Sequence, residues 1–576
     1  MIGMLDTSII ILYFLFITGV GLYVSKRASG SINEYFLGGR HIPWYILGIS
    51  GMATFIDMSG TMLQVSFFYM LGVKGYWVAW RGAIALFLAF FMIFMAKWLN
   101  RSGAMTNAEW MVFRFGPGKQ GKMARLLSAI SILLLAIPIV SYFFVGSGKF
   151  LSLYLPFSPE ISALIFFIIV MIYTVAAGFY GVVYTDLFQS VLILGVIAFI
   201  TVKAFMVGTP EYLEKFTTPE WRTLIPTSWS IDMPSGYENM RFLGMLIIFW
   251  FISNVFQGFS APLDGWTSQR YYAAKNERES SLVAFQWITL FSLRFPLMMG
   301  LGVLAVGIAG AISDPEMALP AVIDRYVPVG VKGVLLAALI AAAMSSVDSI
   351  INSSAAYFVK DIYHAFIRPD ADRKHLLRVS YIATICIFIA GIAIGWVLPN
   401  INSIWAWIMM GLLTGMMPPN ILKWFWWRFN GVGYAAGMGS GLFGAMIAGV
   451  FFPEAPEYMT FSFVIGMSTV GTVLGTFLGK STDMDILVAF YKKTRPFGFW
   501  GPVRSRCESG LVEDIRRENR RDLLLLAPAC LWQTLLFWMM TAIVVRKWVS
   551  FGSSMCAVAV LSWVLYRYWY CNLKRD

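Results

Sequence analysis

The chain has 576 residues, of which 58% are hydrophobic, 16% aromatic and only 13% charged, and its mean hydropathy is +0.70. No soluble domain of this size has that composition, so the chain is expected to be a polytopic membrane protein. Its net charge of +13 is therefore read as a property of membrane loops, with no nucleic-acid partner expected.

About fifteen apolar stretches of helical length follow one another, near 7–25, 44–72, 76–97, 124–155, 159–178, 183–207, 241–264, 281–312, 331–363, 376–398, 401–427, 431–452, 458–480, 524–547 and 551–571. The first is preceded by Asp6 and lacks both a basic start and a cleavage-like site, so it reads as a membrane helix and not as a signal peptide. The second is interrupted by Gly48, Gly51, Asp57 and Gly60, and the seventh by Gly258, Pro262, Asp264 and Gly265. Interrupted spans at matching positions of two halves mark the binding site of a transporter. Five helices counted from each break give spans 2–6 and 7–11, which start on opposite sides of the membrane and so form inverted repeats. The expected fold is all-α, with a 5+5 inverted-repeat core inside about fifteen transmembrane helices, two of them broken. Along the chain this divides into 1–43 (an extra helix and a loop), 44–207 (first repeat), 208–240 (an extracellular loop), 241–430 (second repeat), 431–480 (two peripheral helices), 481–523 (a charged linker) and 524–576 (two additional helices).

Lys and Arg gather in alternate loops: Lys26, Arg27 and Arg40; Lys97, Arg101, Arg114, Lys119, Lys122 and Arg125; Arg270, Lys275 and Arg278; Lys360, Arg368, Arg373, Lys374 and Arg378. The positive-inside rule makes those loops cytoplasmic. The N-terminus is then outside, and an odd number of spans returns Lys574 and Arg575 to the cytoplasm. The linker 481–523, with its VEDIRRENRRD run, lies on that same side and reads as a charged surface helix that anchors the topology.

The ninth span, VKGVLLAALIAAAMSSVDSIINSSAAYFVKDIY at 331–363, carries a run of hydroxyls at its middle. Hydroxyls are costly in hydrocarbon unless something polar uses them. Ala342, Ser345 and Ser346 share one helix face at i, i+3 and i+4. A carbonyl and two hydroxyls on one face suit a small hard cation; equally, small residues let helices pack closely.

Five scattered cysteines and three scattered histidines have no metal spacing and imply no disulfide framework. There is no Walker motif, and the Gly-rich GMGSGLFGAM at 437–446 lies within a span as a packing surface. With no nucleophile–base pairing or cofactor motif, the chain is not expected to be an enzyme.

Six segments, NEYFLGGRHIPW at 33–44, NAEWMVFRFG at 107–116, GVVYTDLFQS at 181–190, SQRYYAAKN at 268–276, MSSVDSIINSSAAYFVKDIY at 344–363 and PPNILKWFWWRFNGVGY at 418–434, together resemble the sodium:solute symporter family from about residue 7 to about residue 480. The resemblance implies a LeuT-type inverted-repeat core and inward, sodium-coupled transport of a small solute by alternating access. Carried over position by position, it places a sodium ion on the carbonyls of Ala53, Ile56 and Ala342 and the hydroxyls of Ser345 and Ser346. Asp186 matches a carboxylate that helps bind a second sodium in some members, here with Ser345, Asp348 and Ser349. Asp186 is also placed to cap a helix or pair with a basic side chain.

For the solute, the candidates are Asp57, Ser59, Gln64, Trp80, Arg81, Gln257 and Ser260. An intramembrane carboxylate such as Asp57 is a functional candidate by default, with a helix cap as the alternative. Arg81 suits a carboxylate or diol clamp, or else snorkels to the outer headgroups or stacks on Trp77 or Trp80. Arg294 reads as a further pocket cation or a scaffold ion-pair partner. These residues lean toward a sugar, polyol or sugar acid over an amino acid or short carboxylate. A transporter-like sensor is the alternative of another class. The chain is expected to work as a monomer in the cell membrane, with sodium and a small solute as partners.

Overall fold

The computed structural model describes residues 3–28, 36–82, 85–226, 228, 230–397, 401–453 and 455–573. Lys574 and Arg575, on which the placement of the C-terminus rested, lie outside the described residues, as do residues 33–35 of the first family-like segment. The described chain is a bundle of helices. We name those that matter for the site: α1 (Met4–Ala28), α2 (Trp44–Ala53), α3 (Met58–Leu71), α4 (Lys119–Leu151), α5 (Pro159–Val207), α6 (Leu243–Ser260), α7 (Gly265–Ala273), α8 (Glu277–Phe291), α9 (Arg294–Val306), α10 (Val331–Ala356), α11 (Arg373–Gly395), α12 (Thr414–Phe425), α13 (Gly431–Phe451), α14 (Glu457–Leu478), α15 (Ser509–Val544) and α16 (Trp548–Tyr568).

Ten helices among the described residues are long and apolar enough to cross a bilayer, and eleven if α2 and the helix after it count as one bent span. The first expected span lies in α1, the fifth and sixth run together as the single helix α5, and the third and eleventh are interrupted. The third is split into Gly75–Val78, Phe87–Phe90, a π-helical turn over Phe91–Met95, and Ala96–Ser102. The eleventh contains a π-helical stretch, Trp407–Leu413.

The basic loops converge on one face. Arg40 donates to the Gly103 carbonyl at 2.8 Å, Arg101 pairs with Glu277, Arg125 with Asp361 at 2.8 Å, and Lys360 with Glu109 at 2.8 Å. The opposite face is covered by the segment 208–240: the Trp221 carbonyl accepts from Val73 N at 2.9 Å, and Trp77 Nε1 donates to Leu224 O at 2.8 Å.

Packing centres on α2, α10 and their neighbours. Gly51 exists for close approach, since a Cβ there would lie 2.5 Å from the Trp287 ring of α8. On α1, buried Asp6 accepts from Gly330 N at 2.7 Å and Gly333 N at 2.8 Å, capping the N-terminus of α10 with a carboxylate where the helix dipole favours one.

The last two helices dock on the core. Gln533 Oε1 accepts from Ala89 N at 2.9 Å, satisfying a donor exposed where the third span resumes, and Tyr76 Oη donates to Thr534 O at 2.9 Å. Phe295 stacks on Phe537 with centroids 4.6 Å apart, and Trp569 Nε1 donates to Met92 O at 3.1 Å. The VEDIRRENRRD run is not a separate surface helix: it forms the opening turns of α15 and continues into the apolar span. Its Glu518 and Asp522 pair with Lys97, at 3.6 and 2.6 Å, and Glu518 pairs with Arg101 at 2.6 Å. Burial works to raise the Glu518 carboxyl, but Arg101 and Lys97 outweigh it and hold it at about 2.

Candidate functional site

The second span breaks after Ala53, and the two halves meet at 61°. Thr54–Ile56 form a turn in which Ile56 N reaches the Ala53 carbonyl at 3.2 Å. Asp57 then adopts an extended conformation and caps α3, its Oδ1 accepting from Gly60 N at 2.5 Å. The seventh span behaves alike: α6 ends at Ser260, Ala261 takes a left-handed φ of 66°, and Asp264 caps α7 by accepting from Thr267 N at 2.6 Å. Both breaks thus occur where Gly, Asp or Pro interrupts the apolar pattern, and each aspartate satisfies donors at a helix start deep in the bundle.

Helix α10 meets the first break through its hydroxyls. Ser346 Oγ lies 2.7 Å from the Thr54 carbonyl and 3.0 Å from the Ala342 carbonyl. The oxygens of Ala342, Ser346 and the turn at Thr54 are therefore together, as a cation bridging two helices requires. Ala53 and Ile56 flank that turn; Thr54, absent from the expected set, is the residue whose carbonyl faces α10. Ser345 points to the other side of this contact, donating to Asp186 Oδ1 at 2.5 Å.

Asp186 is fully buried on α5 and belongs to a second, fully occupied cluster. It accepts from Ser345 and Ser50, and its Oδ2 lies 3.5 Å from Arg270 Nη2. That guanidinium, from α7, also reaches Ser50 Oγ at 2.8 Å, Thr54 Oγ1 at 2.6 Å and Ser349 Oγ at 3.1 Å. Of the four residues expected at a second ion site, Ser345 donates to Asp186 and Ser349 is joined to it through Arg270. Asp348 is not: its buried carboxylate has no hydrogen-bond partner among the described residues. Sequence spacing had no means of placing Arg270 there, because the contact joins α2, α5, α7 and α10.

Beside the first break lies a cavity of about 130 Å³, lined by Asp57, Gln64, Arg81, Tyr142, Gln257, Asp264, Arg294 and Trp405 among others. At its wall Gly60 leaves a point where three polar atoms converge: a Cβ there would stand 2.7 Å from Asp57 Oδ2, 3.2 Å from Tyr142 Oη and 3.3 Å from Arg294 Nη2. Arg294 Nε is buried without a hydrogen-bond partner among the described residues, and its guanidinium lies 5.4 Å from the centre of the Phe291 ring. Tyr142 and Trp405 add an aromatic wall, with centroids 4.9 Å apart.

Four expected solute residues, Asp57, Gln64, Arg81 and Gln257, line this cavity. Arg81 is committed elsewhere, however: it pairs with buried Glu457 of α14 and donates to Asn402 Oδ1 at 2.7 Å, so it is a structural cation and not a free clamp. The other three face away. Ser59 packs on Gly146 of α4, Trp80 stacks on Phe251, and Ser260 donates to its own helix at Phe256 O, 2.6 Å away. Tyr142 and Trp405 were missed because neither carries a sequence signal apart from being aromatic, and Asp264 was read only as a helix breaker.

Two interrupted membrane helices, a hydroxyl-bearing helix against one break and a polar cavity beside it define a secondary transporter. The sodium:solute symporter family profile matches residues 35–441, and the chain belongs to that family. It is similar to sodium/glucose cotransporter 4 of Danio rerio, with 27% identity over 485 residues, covering 77% of this chain and 71% of that one. It is also similar to the sodium/glucose cotransporter of Vibrio parahaemolyticus, 28% identical over 462 residues, covering 74% and 80% respectively. A Na+-coupled sialic acid symporter in a substrate-bound outward-open state shares the fold, with a TM-score of 0.66 at 20% identity over 83% of this chain and 98% of that one. The chain is thus a multi-pass membrane protein of sodium-coupled solute transport.

Proposed function

We propose that this protein imports a sugar or polyol together with one sodium ion. The observation that carries the substrate reading is the convergence of Asp57 Oδ2, Tyr142 Oη and Arg294 Nη2 on the space left by Gly60. An acceptor-only carboxylate, a donor-only guanidinium and a phenol match adjacent hydroxyls, which both donate and accept. Gln64 and Gln257 extend the same chemistry, and the Tyr142–Trp405 wall offers a face to a pyranose ring. The sodium/glucose cotransporters among the relatives support this reading. A sugar acid is the second reading, favoured by the unpartnered Arg294 Nε.

Sodium is assigned to the Ala342 and Thr54 carbonyls and the Ser346 hydroxyl, with the flanking Ala53 and Ile56 carbonyls as further ligands; Ser345, turned toward Asp186, is left out of the set. Occupancy there bridges the broken span and α10, favouring the conformation that accepts solute. A second sodium at Asp186 is not part of the proposal, since the Arg270 guanidinium already meets Asp186 and Ser349. The face of basic loops is assigned to the cytoplasm. One charge crossing the full potential supplies about 2.3 kcal/mol per 100 mV.

The test is uptake into proteoliposomes of radiolabelled hexoses, polyols, hexuronates, amino acids and short carboxylates, with an inward sodium gradient or with potassium in its place. Sodium-dependent accumulation of a hexose or polyol supports the proposal. Accumulation confined to hexuronates moves the assignment to the second reading, and accumulation confined to amino acids or short carboxylates rejects both.

A further inference from the structure

The opening turns of α15 carry arginines on two sides, and the two sides differ. Toward the core, carboxylates and cations are matched in the Lys97–Arg101–Glu518–Asp522 network. On the other side, Arg516 and Arg520, one turn apart, line a groove of about 390 Å³ with Arg504, Tyr491, Phe497, Asn519, Leu523 and Leu524. No carboxylate lines it. The guanidinium groups of Arg516 and Arg520 are exposed and have no partner among the described residues. Arg504 is oriented by Tyr491 Oη at 3.2 Å and the Gly498 carbonyl at 3.0 Å. Asn519 is buried at 7% exposure, and its Oδ1 has no hydrogen-bond partner among the described residues.

The groove is chemically two-ended. Leu523 and Leu524 are 44% and 68% exposed, and they begin the apolar stretch of α15 that enters the membrane. The arginine end therefore sits at headgroup depth, on the face where the basic loops meet, and the leucine end opens toward the acyl region. A free phosphate has no use for the leucine end.

We propose that this groove binds one anionic phospholipid from the leaflet it faces. The phosphodiester lies against Arg516 and Arg520, whose planar donors match phosphate oxygens. Arg504 flanks it, Asn519 Oδ1 accepts from a headgroup hydroxyl, and one acyl chain runs along Leu523, Leu524 and Phe497.

The full-length protein, stripped of lipid in a neutral detergent, is titrated with dioleoyl-phosphatidylglycerol or dioleoyl-phosphatidylcholine, with and without millimolar inorganic phosphate, and bound lipid is counted by native mass spectrometry. Phosphatidylglycerol is expected to bind in preference to phosphatidylcholine. R516Q/R520Q should weaken that binding roughly ten- to thirtyfold, the effect of removing two basic residues at a membrane surface. R373Q/K374Q, which removes two exposed charges from the first turn of α11 on the same face, should leave it unchanged. Neither Arg516 nor Arg520 holds another part of the chain, and an unaltered melting temperature checks that the double variant is folded. Equal binding of the two lipids, undiminished phosphatidylglycerol binding by R516Q/R520Q, or its displacement by millimolar phosphate overturns the proposal.

Discussion

On the proposed sodium site, ion coupling turns on Ser346, whose hydroxyl meets the Thr54 carbonyl of the broken span. Removing one oxygen ligand from a cation costs about as much as losing a charged hydrogen bond, so S346A should raise the sodium concentration for half-maximal uptake roughly ten- to a hundredfold. Sodium titration of uptake checks this, and an unchanged half-saturation would remove Ser346 from the site. Gly60 tests the solute pocket separately. A Cβ there intrudes on Asp57, Tyr142 and Arg294 together, so G60A should weaken solute binding about tenfold or more while sodium-induced tryptophan fluorescence changes persist. The hydroxyls of α10 and the breaking aspartates were legible in the sequence, since a polar group in an apolar run declares itself. Arg81 was misread as a pocket clamp because its partner Glu457 lies 376 positions away. A lone intramembrane cation in a sequence does not reveal which distant carboxylate it will meet.

Among elements, the bend in the second span was the most legible, because Gly and Asp interrupt a periodic apolar pattern at a definable place. The docking of α15 was not. Its charged opening turns read as a surface helix because sequence shows the charges but not the Lys97 and Arg101 that neutralise them. Glu518 gives this contact a pH signature. Its carboxyl is held at about 2 in the fold against about 4.5 unperturbed, so its stabilising contribution is complete above about pH 4.5 and is lost as pH falls toward 2. Between pH 5 and 3 the melting temperature of the wild type should therefore fall more steeply than that of E518Q. Parallel pH profiles would show that the network does not stabilise the folded protein.

At the scale of the whole molecule, one buried polar knot lies toward the face opposite the basic loops. Glu457 receives Arg81, Asn239 at 3.1 Å and Trp250 at 3.1 Å, and Asn402 joins Arg81 to the Gly236 carbonyl. Five distant parts of the chain meet there, so a path for solute from that side requires the knot to part. E457Q leaves Arg81 without its counter-charge, a change costing several kcal/mol in a buried pair. In a background lacking the five native cysteines, a cysteine at Gln257 should then react with an impermeant thiol reagent at least tenfold faster in E457Q. An equal rate would place the closure elsewhere.

The guanidinium of Arg270 at Asp186 has a consequence for energetics. A sodium ion bound there would be delivered with each turnover, whereas a cation fixed to the backbone returns with the protein and does no net work. Current and tracer flux measured on the same vesicles should therefore give one elementary charge per neutral solute molecule. With the one-sodium coupling proposed above, the greatest concentration ratio for a neutral solute is the sodium ratio multiplied by about fiftyfold per 100 mV, and not the square of that product. With that coupling, each solute molecule costs one sodium ion, and the reachable gradient is correspondingly shallower than with two.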